Sequence, residues 1–70
     1  MVEKTIELTG ISANSIEDAV ELAISRAAVT IEAIRHAEVV GITAEVENGN
    51  VAHWRVKVRV TFAVQDRLHE

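Results

Sequence analysis

VAHWRVKVRVTFAV, from Val51 to Val64, alternates almost without fault between apolar and other residues. Ala52, Trp54, Val56, Val58, Val60, Phe62 and Val64 fall on one side, with His53, Arg55, Lys57 and Arg59 on the other. A period of two sustained over this length reads as a β-strand with one apolar and one basic face. The rest of a 70-residue chain supplies about one helix of cover for that strand. Its edges and its other face still need partners, so the chain is expected to be one piece of an assembly.

Upstream of this strand lies Asn48-Gly49, the strongest short hairpin signal in the sequence. A second strand, from about His36 to Glu47, leads into it. Parity constrains the turn. A two-residue loop would set Val40, Ile42 and Val46 on the face of Lys57, Arg55 and Val51, placing core against charge. A loop of three or five residues instead puts Val40, Ile42, Ala44 and Val46 with Val58, Val56, Trp54 and Ala52. An odd-length loop with Gly49 in a left-handed conformation is therefore expected, and Trp54 is read as core.

Farther upstream, Ile16, Ala19/Val20, Ala23, Ala27 and Ile31/Ile34 recur as one face of a 3.6-residue period, while Glu17, Glu21, Ser25 and Glu32 fall elsewhere. Asn14 or Ser15 is the expected N-cap, and Glu17 and Asp18 suit the positive end of the helix dipole. The helix is placed from there to about Ile31. A first strand, Val2 to Thr9, alternates Val2, Ile6 and Leu8 against Glu3, Thr5, Glu7 and Thr9, and Gly10 is read as its end. If it flanks the last strand, Glu3 and Glu7 can pair with the basic row. The expected fold is α+β: β-α-β-β, a three-stranded antiparallel sheet partly wrapped around one helix, in a single domain over residues 1–70.

Composition narrows the function. The chain has no Cys and its three His show no zinc-ligand spacing, so neither a disulfide framework nor a structural zinc supports so small a core. Oligomerisation is the remaining support. A net charge of −4 argues against a nucleic-acid partner, because a basic strand face in an acidic protein pairs readily with its own carboxylates. No segment is long and apolar enough to cross a membrane, and the N-terminus lacks the pattern of a signal peptide. A cytoplasmic protein is expected. No nucleophile–base pair, glycine-rich phosphate loop or metal motif is present, which argues against an enzyme.

Four collinear runs carry a family resemblance: Glu7-Leu8-Thr9-Gly10-Ile11-Ser12, Ser25-Arg26-Ala27-Ala28, Ala37-Glu38-Val39-Val40, and Val56 to Phe62. Together they resemble the dodecins, over nearly the whole chain. The resemblance implies a hollow homododecamer that binds flavins in pairs between subunits and acts as a flavin store or scavenger. It also implies where the ligand sits. Flavin-binding dodecins carry a stacking Trp just ahead of the Glu-Val pair, where this chain has His36. They carry a ring-bonding Gln in the third strand, where this chain has Arg55, and many bacterial members have an Arg where this chain has Thr43.

The candidate ligand residues are therefore His36, Arg55 and Thr43, with Arg35 beside His36; the implied cofactor is a flavin (FMN, riboflavin or FAD). Replacing Trp by His removes stacking area, while Arg55 remains a planar fork of donors for ligand oxygens. Without the resemblance, His36 is an ordinary helix–strand junction residue, and Arg55, Lys57 and Arg59 form a solvated or salt-bridged strand face. His53 and Glu45 then make a cross-strand surface pair. Glu38 or Glu45, repeated around a symmetric cage, could meet a divalent cation at an axis, although nothing in their spacing specifies it. Two readings stand: a non-catalytic flavin-holding cage, or a dodecin-type structural cage that has lost flavin and holds another ion or cofactor, or none.

Overall fold

Four elements follow in the order β1 (Val2–Ser12), α1 (Ile16–Thr30), β2 (Ile34–Glu47) and β3 (Asn50–Val64), in a computed structural model that describes residues 1–64. The three strands form one sheet in the order β1-β3-β2, with both pairings antiparallel. This is the β-α-β-β arrangement expected from the sequence, with the long alternating strand in the centre.

The helix begins where a serine network ends β1. Ser15 is the N-cap, its hydroxyl accepting from the Asp18 backbone N–H at 2.9 Å. Ser12, buried, accepts from the Asn14 and Ser15 backbone N–H groups at 2.9 and 3.4 Å and donates to the Asp18 carboxylate at 2.6 Å. One side chain thus satisfies two backbone donors and positions the acidic first turn. Ala19, Ala23 and Ala27 form the buried stripe of α1. Such small residues bring the helix backbone close to the sheet.

That closeness explains the first departure from expectation. Gly10 does not end β1; the strand runs on to Ser12, with Gly10 paired to Val56. A Cβ at Gly10 would lie 1.9 Å from the Ala19 carbonyl oxygen. The glycine is there because the helix backbone rests on it, not because the strand stops.

The hairpin gives the second departure. Glu47 pairs with Asn50, so the loop has two residues, and both Asn48 (φ 52°) and Gly49 (φ 80°) are left-handed, as a type I′ turn requires. The parity problem is cured elsewhere. Register shifts between Glu45 and Val46, where Glu45 pairs with His53 and Val46 with Val51, leaving Ala52 as an extra residue in β3. Ile42 and Ala44 then face Val56 and Trp54 as expected, but Val46 faces Val51 rather than Ala52. A second shift, between Val39 and Gly41, makes Val40 the extra residue and sets Val39, not Val40, opposite Val58. A third makes Arg35 extra near the start of β2, which begins at Ile34, ahead of the expected His36.

Val56, Val58 and Val60 are fully buried against Ala19 and Ala23, with Ile6, Leu8, Ile16, Val20, Ile34, Ala37 and Trp54 packed around them. The helix lies over β1 and β3 and touches β2 little. Its 15 residues span about 22 Å, against about 46–50 Å for strands of 14 and 15 residues. Much of the inner sheet face is left bare, with Ile42, Val46 and Val51 exposed. The radius of gyration is 14.9 Å, where a compact chain of this length has about 11 Å.

Candidate functional site

The outer face of the sheet, away from α1, carries the polar row of β3. The register sets out its neighbours one by one. Arg59 lies between Glu7 and Glu38; Lys57 lies between Thr9 and Gly41; Arg55 lies between Ile11 and Thr43; His53 lies opposite Glu45.

Arg59 is matched on both sides. Its guanidinium donates to the Glu7 carboxylate at 3.0 and 3.3 Å and to that of Glu38 at 3.4 Å. The expected pairing of Glu7 with the basic row is present, while Glu3 reaches Arg35 at 3.8 Å instead of a β3 residue. All these partners are substantially exposed, so each pair contributes at most about 1 kcal/mol and serves chiefly to align the strands.

Arg55 and Lys57 are placed differently. Arg55 has one long contact, 3.9 Å to Glu45, and Lys57 has no carboxylate within salt-bridge distance among the described residues. Between and beside them the surface is hollow. Thr9, Val40, Gly41, Thr43, Arg55 and Lys57 line an open groove of ≈ 370 Å³. The missing side chain of Gly41 leaves room there, and the bulge at Val40 bends β2 beside it.

The structure brings together two of the four candidate ligand residues, Thr43 and Arg55, which face each other across β2 and β3 and both line the groove. It does not bring His36 or Arg35 to them within one chain. His36 pairs with Thr61, six positions along β3 from Arg55, a separation of about 20 Å. Arg35 sits one residue away, tied to Glu3 and touching the Met1 sulfur at 3.9 Å. His36 is exposed. Sequence reading missed Thr9, Val40, Gly41 and Lys57 as groove residues. Gly41 in the middle of an apolar strand was the available signal, since an isolated strand glycine marks a bulge or a close approach.

Glu38 and Glu45, the carboxylates considered for a cation, are each within salt-bridge distance of an arginine. Among the described residues no group of three or more His, Cys, Asp or Glu side chains converges on a point. No helix is long and apolar enough to cross a membrane among the same residues.

Comparison with known proteins gives a consistent result. No curated protein matches the sequence significantly. Among solved structures, dodecin from Streptomyces davaonensis is 26% identical, with a TM-score of 0.87 over 93% of this chain and 96% of that one. The tt0972 protein of Thermus thermophilus is 29% identical with a TM-score of 0.88, covering 93% of this chain and 96% of that one. A calcium dodecin from Mycobacterium tuberculosis, described as having a novel calcium-binding site, is 28% identical over 100% of both chains with a TM-score of 0.82. The family model for dodecin matches residues 2–65. With four elements in the expected order and a match over nearly its whole length, the chain belongs to the dodecin family.

Proposed function

We propose that this protein is a non-catalytic, homododecameric cage that holds a flavin, or a closely related planar ligand, at its subunit interfaces. Dodecins are small flavin-binding oligomeric proteins, and non-catalytic. The observation that carries the reading to this chain is the outer-face groove, where Arg55, Thr43, Thr9 and Lys57 offer donors beside the exposed apolar surface of Val40. A flat ring system with oxygen acceptors along its edge suits that lining.

The distance between the two ends of the site supports an intersubunit ligand. His36 and Arg55 lie farther apart in one protomer than a three-ring system reaches. A ligand that uses both draws them from different copies. In this reading His36 is a reduced stacking platform and Arg55 replaces a neutral ring-edge donor with a charged one.

Flavin fluorescence titration of the assembled protein tests the proposal. Quenching that saturates with ligand is expected. Restoring aromatic area with His36→Trp should tighten binding by roughly 2- to 12-fold, the equivalent of about 0.5–1.5 kcal/mol of stacking. Arg55→Gln alone should change it less, because arginine already donates to flavin oxygens. If neither the wild type nor the double variant quenches flavin, the cage was built for another ligand. A cation shared between copies is then the second reading, motivated by the 28%-identical relative described as binding calcium.

A further inference from the structure

The polar row of β3 changes character along its length. At Arg59 the positive charge is held between two carboxylates, Glu7 and Glu38. Two residues farther along, Lys57 has Thr9 and Gly41 as its cross-strand neighbours, and neither can neutralise it. The next cation, Arg55, reaches a carboxylate only at 3.9 Å. In a chain with a formal charge of −4, positive charge left unmatched at two successive outward positions stands against the overall balance. Both cations open onto one groove, and its six lining residues include no acid. Two threonines, Thr9 and Thr43, complete the lining with hydroxyl donors.

We propose that this groove selects ligands carrying a phosphate or comparable anionic group, with Lys57 as the anchoring charge and Arg55, Thr9 and Thr43 as supporting donors. The inference rests on the ligand-holding reading above, and it names the chemical class that the site prefers. Lys57 is the informative residue because its ammonium has no competing partner among the described residues, whereas Arg55 divides its donors between the groove and Glu45. A compact ammonium flanked by hydroxyls is well suited to an exposed phosphate oxygen. The groove is open to solvent, so the preference should weaken as salt screens it.

Calorimetric titrations with FMN, riboflavin and inorganic pyrophosphate, on the assembled wild type and on Lys57→Gln, test it. FMN and riboflavin share a ring system and differ by one phosphate. FMN is expected to bind at least ten-fold more tightly than riboflavin. That advantage should collapse in Lys57→Gln, with riboflavin affinity falling far less than FMN affinity, and should shrink between low and moderate salt. Equal affinity for the two flavins overturns the inference and leaves the flavin reading intact. An FMN advantage that survives Lys57→Gln also overturns it. If neither flavin binds but pyrophosphate binds to the wild type and not to Lys57→Gln, the anion site stands and the flavin reading fails; no pyrophosphate binding in that case defeats both. Native mass measurement of Lys57→Gln separates the remaining role for this cation. Dissociation of the assembly would show that Lys57 meets a neighbouring copy's carboxylate, and that outcome too overturns the proposal.

Discussion

The inner face of the β2–β3 hairpin has two halves of similar composition and opposite fate. Under α1, Val56, Val58 and Val60 have no solvent exposure, while toward the turn Ile42, Val46 and Val51 remain 50%, 60% and 49% exposed. Valine and isoleucine supply both halves, so residue type does not separate them. Helix reach does: α1 spans less than half the strand length and lies over β1 and β3. The covered half is a private core, and the bare half is apolar surface whose burial awaits another copy of the chain. Burial in this chain is therefore read at two levels, what the protomer covers itself and what it leaves bare.

The contrast breaks most severely at Gly10. Gly10→Ala would drive a Cβ into the Ala19 carbonyl, which belongs to the helix backbone and cannot rotate away. Lifting α1 would open the covered half, at a cost at or above the roughly 3 kcal/mol upper end of ordinary over-packing. Loss of assembled protein, or a large drop in the denaturation midpoint, is the expected result. An unchanged midpoint would mean that the helix does not rest on β1 as described.

The two halves can also be compared directly. Val58→Ala removes fully buried methyl groups and should destabilise by on the order of 2 kcal/mol. Val46→Ser alters an exposed position and should leave the circular dichroism spectrum intact while weakening self-association. Denaturation at fixed protomer concentration reads the first effect, and dilution followed by native mass measurement reads the second. If Val46→Ser matched Val58→Ala in stability without any change in assembly, the division into two levels would be wrong.

The smallest effect lies at the turn. Gly49 has φ 80° and nothing within 4 Å of an added Cβ, so Gly49→Ala meets backbone strain alone and should cost about 1 kcal/mol. Asn50→Ala should cost less, since among the described residues the Asn50 side chain makes a single exposed hydrogen bond, donated to the Asn48 carbonyl at 3.4 Å. Equal losses in urea titrations of the two variants would contradict the type I′ geometry.

Much of this architecture was legible because simple periods carry it. Two-residue alternation in Val51–Val64 located the central strand, and the 3.6-residue spacing of Ala19, Ala23 and Ala27 located the helix face. Parity correctly demanded one extra residue in the hairpin. Sequence alone placed that residue in the loop, wrongly, because Ala52 in the strand serves the register as well as a third residue in the loop. Arg35 and Val40 were hidden for the same reason: a bulge leaves the local composition unchanged. Gly10 was misread because its cause, the Ala19 backbone, lies nine residues away in sequence and directly above in space. At the site, Arg55 and Thr43 came from the family resemblance and strand register set them opposite each other, whereas Lys57 had the look of its neighbour Arg59 until the flanking strands supplied acids for one and none for the other.

The bulge at Ala52 gives the hairpin tip one residue to spare. Because Ala52 is the residue in excess between the Val46–Val51 and Glu45–His53 pairs, deleting it alone would leave a smooth two-residue hairpin with those pairs kept and Lys57 and Arg55 still on the outer face. Single-residue changes of length at this tip are therefore absorbed before the Glu45–His53 pair. A residue lost at Ala52 needs no compensation in the loop, and lineages related to this chain should vary here by single residues, with the irregularity present, absent or moved between turn and strand while the arginine–lysine row keeps its side.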